Sequence, residues 1–184
     1  MNLYFLRARQ RGQAAVLAVL LVALAVLIAS ALVDAYALTE ARNWGYQAAQ
    51  QAALAGVSQG RAWSGLDTPL CAGGPSPIQL DAAMASQAAS DMLDHEMSLR
   101  GISSYTADIR VLPAYNGGTI SSYPPIPVRL GASRGNWSSS EPAVGVYLSF
   151  PVSTFLLSFV GRPAVQIEVF ASASVHQPTG VCTP

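Results

Sequence analysis

Lysine is absent from this 184-residue chain, and charge of either sign is scarce, with Asp, Glu, Lys and Arg together making up 11% of the residues. A soluble domain usually carries about a quarter, so part of this chain avoids water, in keeping with a mean hydropathy of +0.34. Ten arginines balance ten acids, but unevenly along the chain. Arg7, Arg9 and Arg11 crowd the first twelve residues, which hold no acid. Acids outnumber arginines in the remainder, so no basic stripe is left to neutralise phosphates, and nucleic acid is not expected as a partner. Cysteine and histidine occur twice each. There is no Cys-x-x-Cys pair and no phosphate-cradling glycine loop, so neither a cofactor nor a small-molecule substrate is expected. Proline is missing before Pro69, and nothing of that kind interrupts a helix in the first third of the chain.

What fills that first third is apolar. Ala14 to Val33 is a run of twenty residues without a charge, and Ser30 is its only polar side chain. As a helix it extends about 30 Å, the thickness of a bilayer's hydrocarbon core. Arginines before it, with Asp34 and Glu40 after it, orient the amino terminus to the cytoplasm and the rest of the chain to the other side. Ala35-Tyr36-Ala37 fits the small-x-small cleavage pattern of an export signal. The apolar core of such a signal, however, is usually about 7 to 15 residues long. The helical pattern also continues past that point to Val57. Leu38, Ala41, Gly45, Ala48, Ala52 and Ala55 alternate spacings of three and four and share one face, while Glu40, Asn43, Gln47 and Gln50 form the opposite one. All but Leu38 of the first set are small, which suits close approach by another helix; equally, alanine is the best helix former. A helix over residues 13–57 is too long for a small domain to bury, so something outside the domain is expected to cover part of it.

The stretch RGQAAVLAVLLVALAVLIASALVDAYALTEARNWGYQAAQQAALAGV resembles the amino-terminal segment of the TadE/TadG-like proteins of Tad (Flp, type IVc) pilus assembly. The shared features are a basic leader ending in glycine, a small-residue start, the apolar run, an acid directly after it and an alanine-rich close. VGVYLSFPVSTFLLSFVGRPAVQIEVFASASV, near the other end, is similar to the strand, apolar turn and alanine-rich strand with which such proteins finish. The resemblance implies a pilin-like α+β fold in a single-pass protein of the bacterial inner membrane, whose carboxy-terminal domain lies outside the cytoplasm and whose partners are pilins or the pilus machinery. It also implies leader cleavage between Gly12 and Gln13. Counting from Gln13, the fifth residue is Leu17 where bulk prepilins carry glutamate, so the resemblance points to a TadG-like or minor structural component, not an enzyme. The alternative is a membrane-anchored binding module with the helix as a plain tether.

Residues 58–80 are rich in Gly and Pro and read as a connector. The domain proper is expected over residues 81–184. Asp81 is placed to cap a second helix, with Leu80, Met84, Ala88 and Met92 on one row and Gly101 as its stop. Ser104 to Leu112 alternates as a half-buried strand, with Tyr105, Ala107, Ile109 and Val111 on one side. Pro113 to Pro142 is expected to be a long loop with a short edge strand around Pro127 to Leu130. Val144, Val146, Leu148 and Phe150 mark a second strand, and Val165 through Val175 a third, long one. Between them, Thr154 to Val160 has no charge and reads as a short helix or apolar turn that either caps the core or dips into a membrane surface or a neighbour. The expected sum is a small antiparallel sheet with one additional helix, following the long one. In an oxidising compartment, Cys71 and Cys182 are expected to pair.

Some tempting chemistry is outweighed. Gly56-Val57-Ser58-Gln59-Gly60 matches the G-x-S-x-G nucleophile pattern, but at the end of a helix and not at a strand-to-helix turn. Asp91, Asp94 and His95 share a helix face and read as a solvated surface before they read as metal ligands. Asn136-Trp137-Ser138 has the glycosylation acceptor form, which is common by chance. Trp44 and Tyr46 suit either a membrane interface or ordinary packing.

Overall fold

The computed structural model describes residues 3–63, 78–114, 118–125 and 135–176. Helix α1 (Leu3–Gln59) is followed by β1 (Arg61–Trp63), β2 (Ile78–Leu80), α2 (Ala82–Leu99), β3 (Thr106–Leu112), β4 (Thr119–Ile120), β5 (Trp137–Ser138), β6 (Ala143–Ser153), a 3-10 turn (Leu157–Val160) and β7 (Ala164–Ser174). The class is α+β: one long helix with an apolar first part, a second helix and a small antiparallel sheet. Two compact units divide the chain, Met1–Glu40 with Val152–Val165 and Ala41–Pro151 with Gln166–Pro184.

The larger unit is built around β6, the middle strand of the order β3-β6-β7. β3 pairs with it antiparallel from Thr106 opposite Ser149 to Leu112 opposite Ala143. A strand with neighbours on both edges buries residues on both faces, and Ala143 to Leu148 are buried without a break. Val144, Val146, Leu148 and Phe150 take the helix side. Gly145 and Tyr147 take the other, where Tyr123, Trp137 and Leu112 complete a second core with Phe170 and Ile120 packed on it. Its rings meet edge to face, Tyr123 to Phe170 at 5.4 Å and Trp137 to Phe170 at 6.1 Å. Gly145 leaves the space they need, since a Cβ there would lie 3.1 Å from both Trp137 and Tyr123. The Tyr123 hydroxyl ties the layer to the sheet, placed 2.8 Å from both the Asp108 and the Gly145 carbonyl oxygens, which share its one hydrogen.

Within the loop expected over Pro113 to Pro142, β4 pairs with β5 as part of this second layer. The edge strand expected around Pro127 to Leu130 falls outside the described residues. The connector over 58–80 is likewise not plain: β1 pairs with β2 from Arg61 opposite Leu80 to Trp63 opposite Ile78. The Asp81 amide then donates to the Gly60 carbonyl at 2.8 Å and starts the next helix. Ladders of two or three residues are too short to show a period.

α2 begins and ends where local chemistry dictates. The Asp81 carboxylate accepts from the amides of Ala83 and Met84 at 2.9 and 3.0 Å, and Gly101 takes a positive φ of 68° just past Arg100. Its buried row is Ala85, Ala89, Leu93 and Met97 with Ala88, not the adjacent row expected: Met84 is exposed and Met92 only half-buried. Both rows repeat every four residues. Close approach to α1 selects the one with alanines, since a Cβ on Gly56 would lie 2.8 Å from the Ala85 carbonyl oxygen and one on Gly60 would lie 2.5 Å from the Ala85 Cβ.

Candidate membrane interface

The smaller unit contains the apolar start of α1. From Ala15 to Val33 every side chain is exposed except Ser30, which is half-buried. The stretch is charge-free and its mean hydropathy reaches 3.1 over the most apolar window, none of which is covered by the rest of the chain. Length and composition suffice to cross a bilayer. Ser30 donates to the Val26 carbonyl at 2.8 Å, so the one polar side chain of the run is satisfied inside its own helix. Further along, Thr39 does the same to Ala35 at 2.8 Å.

Asp34 ends the run and is 93% covered, at 7% exposure. A carboxylate so placed costs free energy unless hydrogen bonds replace its water. The replacement comes from the turn between β6 and β7. The Phe155 amide donates to Oδ1 and the Leu156 amide to Oδ2, each at 2.7 Å. Such charge-assisted bonds are short and about twice as strong as neutral ones. They pin the turn to the residue that closes the apolar run.

The turn itself is closed by local bonds. Thr154 donates its amide to Pro163 at 3.0 Å and its hydroxyl to the Arg162 carbonyl at 3.1 Å. Gly161, at φ 80°, permits the left-handed exit from the 3-10 turn. No charge lies between Thr154 and Val160, and Phe155 and Phe159 are 60% and 76% exposed with their rings edge to face at 5.4 Å. No local sequence signal links Asp34 to a turn 121 residues away.

The remaining predicted residues are placed as follows. Gly12 and Gln13 lie within α1. Cys71 and Cys182 lie outside the described residues. The small-residue face is used, but by the chain itself: Ala41, Gly45, Ala48, Ala52 and Ala55 are buried, as are Ala49 and Ala53 beside them, while Leu38 is half-buried. A Cβ on Gly45 would lie 2.7 Å from the ring of Phe150 and 3.7 Å from Val169. In the larger unit this face is therefore shut to a partner helix, contrary to the use expected of it, because small residues that admit a foreign backbone also admit the chain's own sheet. Trp44 belongs to the same packing, its ring 4.6 Å from that of Phe150 and under the Arg100 guanidinium at 4.6 Å.

No nucleophile or metal constellation forms among the described residues. Ser58 bonds back to the Ala55 carbonyl at 3.0 Å, within the helix. Asp91, Asp94 and His95 are exposed, no group of three metal-ligating side chains converges, and Asp94 accepts from the Tyr105 hydroxyl. Burial, followed by that bond, pushes the Tyr105 phenol up to about 12. His176 sits 2.5 Å from Glu141, which also accepts from Ser174 at 3.0 Å. The His176 contact, then the Ser174 bond, hold the Glu141 carboxyl below its ordinary value. A groove of about 530 Å³ runs between Arg42, Tyr46 and Gln47 on α1 and Glu168 on β7, without convergent catalytic groups. No protein-family model, curated protein or solved structure matches the chain.

Proposed function

We propose that this chain is a single-span structural protein of the bacterial inner membrane, a TadE/TadG-like minor component of a Tad-type pilus assembly. In this reading the arginine-rich start faces the cytoplasm and the α+β domain stands outside it. The supporting observation is the abrupt change along α1. Its surface is apolar and uncovered all round from Ala15 to Val33, a carboxylate closes that run at Asp34, and from Ala41 onward the helix buries one face in its own domain. A helix that is apolar on every side is stable only inside a large core or a bilayer, and none of the described residues covers this one. The occupied small-residue face moves the place of assembly. Pilins or pilus machinery would pack on the membrane-spanning part, by close contact in lipid, and not on Ala41 to Ala55.

The same occupied face favours a second reading, in which the helix is a tether for an extracytoplasmic binding domain. Replacing Ala14 to Val33 by an unrelated apolar helix of equal length separates the two. An assembly component should still insert but stop co-purifying with pilus components. Undiminished co-purification would rule out packing through the span and leave the tether.

A further inference from the structure

We infer that the β6–β7 turn is a second membrane contact, a wedge whose Phe155 and Phe159 rings enter the lipid interface beside the end of the span; the inference rests on the spanning role of Ala15 to Val33. The two elements belong to one compact unit, so their relation is part of its geometry. Asp34 directly follows the last residue of the charge-free run, and its carboxylate holds the amides of Phe155 and Leu156 at 2.7 Å. At 1.5 Å of rise per helical residue, the turn lies level with the end of the span. That is the depth at which aromatic rings concentrate in membrane proteins. Val33, at the end of the exposed run, is 62% exposed and Phe155 and Phe159 are 60% and 76% exposed, and such rings suit partial burial in an interfacial layer.

The backbone is prepared for a place with little water. Peptide groups near hydrocarbon must find partners within the protein. The amides of Thr154, Phe159, Gly161 and Arg162 donate to carbonyls of the same turn at 2.9 to 3.2 Å, and those of Phe155 and Leu156 to Asp34. Ser158 donates to the Phe155 carbonyl at 2.6 Å, which removes another hydroxyl from need of solvent. The exposed Arg162, at the exit, is placed to reach lipid phosphates with its long side chain. An apolar turn awaiting a protein partner has no requirement to be fastened to the end of a span.

The test is photo-crosslinking of the full chain in vesicles of phosphatidylcholine and phosphatidylglycerol, with p-benzoylphenylalanine replacing Phe159, Leu24 or Asp91 in separate preparations. Mass spectrometry reads the attached molecule. The expected result is a phospholipid adduct at positions 24 and 159 and none at position 91, with the adduct at 159 lost or much reduced when Asp34→Ala is added. Lipid at 24 but not at 159 would overturn the wedge and leave the span standing. A protein–protein product at 159 would overturn it in favour of a second copy. Lipid at none of the three would remove the span itself, and the wedge with it.

Discussion

Replacing Asp34 by alanine should release the β6–β7 turn while leaving the larger unit folded. The carboxylate accepts two amide hydrogens at 2.7 Å. A donor left unpaired in a buried site costs about 1–3 kcal/mol. The headgroup layer of a membrane still holds some water, so the low end applies to each bond, about 2–3 kcal/mol for the pair. Local opening should become easier by that amount, which corresponds to roughly 30- to 150-fold faster hydrogen exchange at the Phe155 and Leu156 amides. The assay is exchange followed by mass spectrometry or NMR on the detergent- or vesicle-embedded protein. The Val175 amide, bonded to Pro142 at 2.9 Å in the other unit, serves as the internal reference. Asp34→Asn keeps an oxygen acceptor but loses the charge, and should fall between alanine and wild type. Unchanged exchange at Phe155 and Leu156 in the alanine variant would refute the clamp.

Gly45→Leu should destabilise the larger unit by about 3 kcal/mol, the upper part of the usual range for overpacking, because the ring it meets at 2.7 Å, Phe150, is fully buried. Tyr46→Leu, at an exposed neighbour, should change stability by no more than about 0.5 kcal/mol, and equal denaturation midpoints for the two would count against internal use of the small face. Tyr123→Phe removes the hydroxyl placed between the Asp108 and Gly145 carbonyls and should cost about 1–2 kcal/mol, visible as a lower thermal midpoint with unchanged far-ultraviolet dichroism. For Glu141 the folded state holds the carboxyl below its ordinary 4.5. Its contribution is thus present above that pH and lost as pH falls through the lower folded value. Glu141→Gln should flatten the acid limb of a stability–pH profile, and an unaltered limb would show the His176 contact to be idle.

Period and local chemistry made part of this fold legible. Asp81 and Gly101 act within three residues of themselves, so α2 could be bounded from its own sequence. The alternation of Val144 to Phe150 and of Val165 to Val175 spans enough residues to declare strands. Periodicity names a face without naming what covers it, however. The row of Ala41 to Ala55 was readable as small, yet the same smallness suits a foreign helix or the chain's own Phe150. Stride four fitted two rows of α2, and only Gly56 and Gly60 choose between them. The aromatic layer left a fainter sign: Tyr147 and Phe170 sit at outward positions of otherwise alternating strands, where polar residues belong unless a second layer covers them. The site was half legible. Apolar length announced the candidate span, whereas the tie from Asp34 to Phe155 and Leu156 is a long-range contact with no local pattern.

That tie bears on the fate of the amino terminus. A cut after Ala37 would carry away Asp34 along with the apolar run, and the amides of Phe155 and Leu156 would lose their acceptors. It would also have to occur within an unbroken helix, since α1 passes through Ala35, Tyr36 and Ala37 without a bend or turn residue. The contacts of the folded chain thus oppose a cut after Ala37. Intact-mass measurement of the protein purified from its native membrane should find the chain starting at Met1, as a plain anchor, or at Gln13, as a processed pilin-like subunit. A mature protein starting at Leu38 would mean that Asp34 is dispensable and would remove the anchor, the clamp and the wedge together.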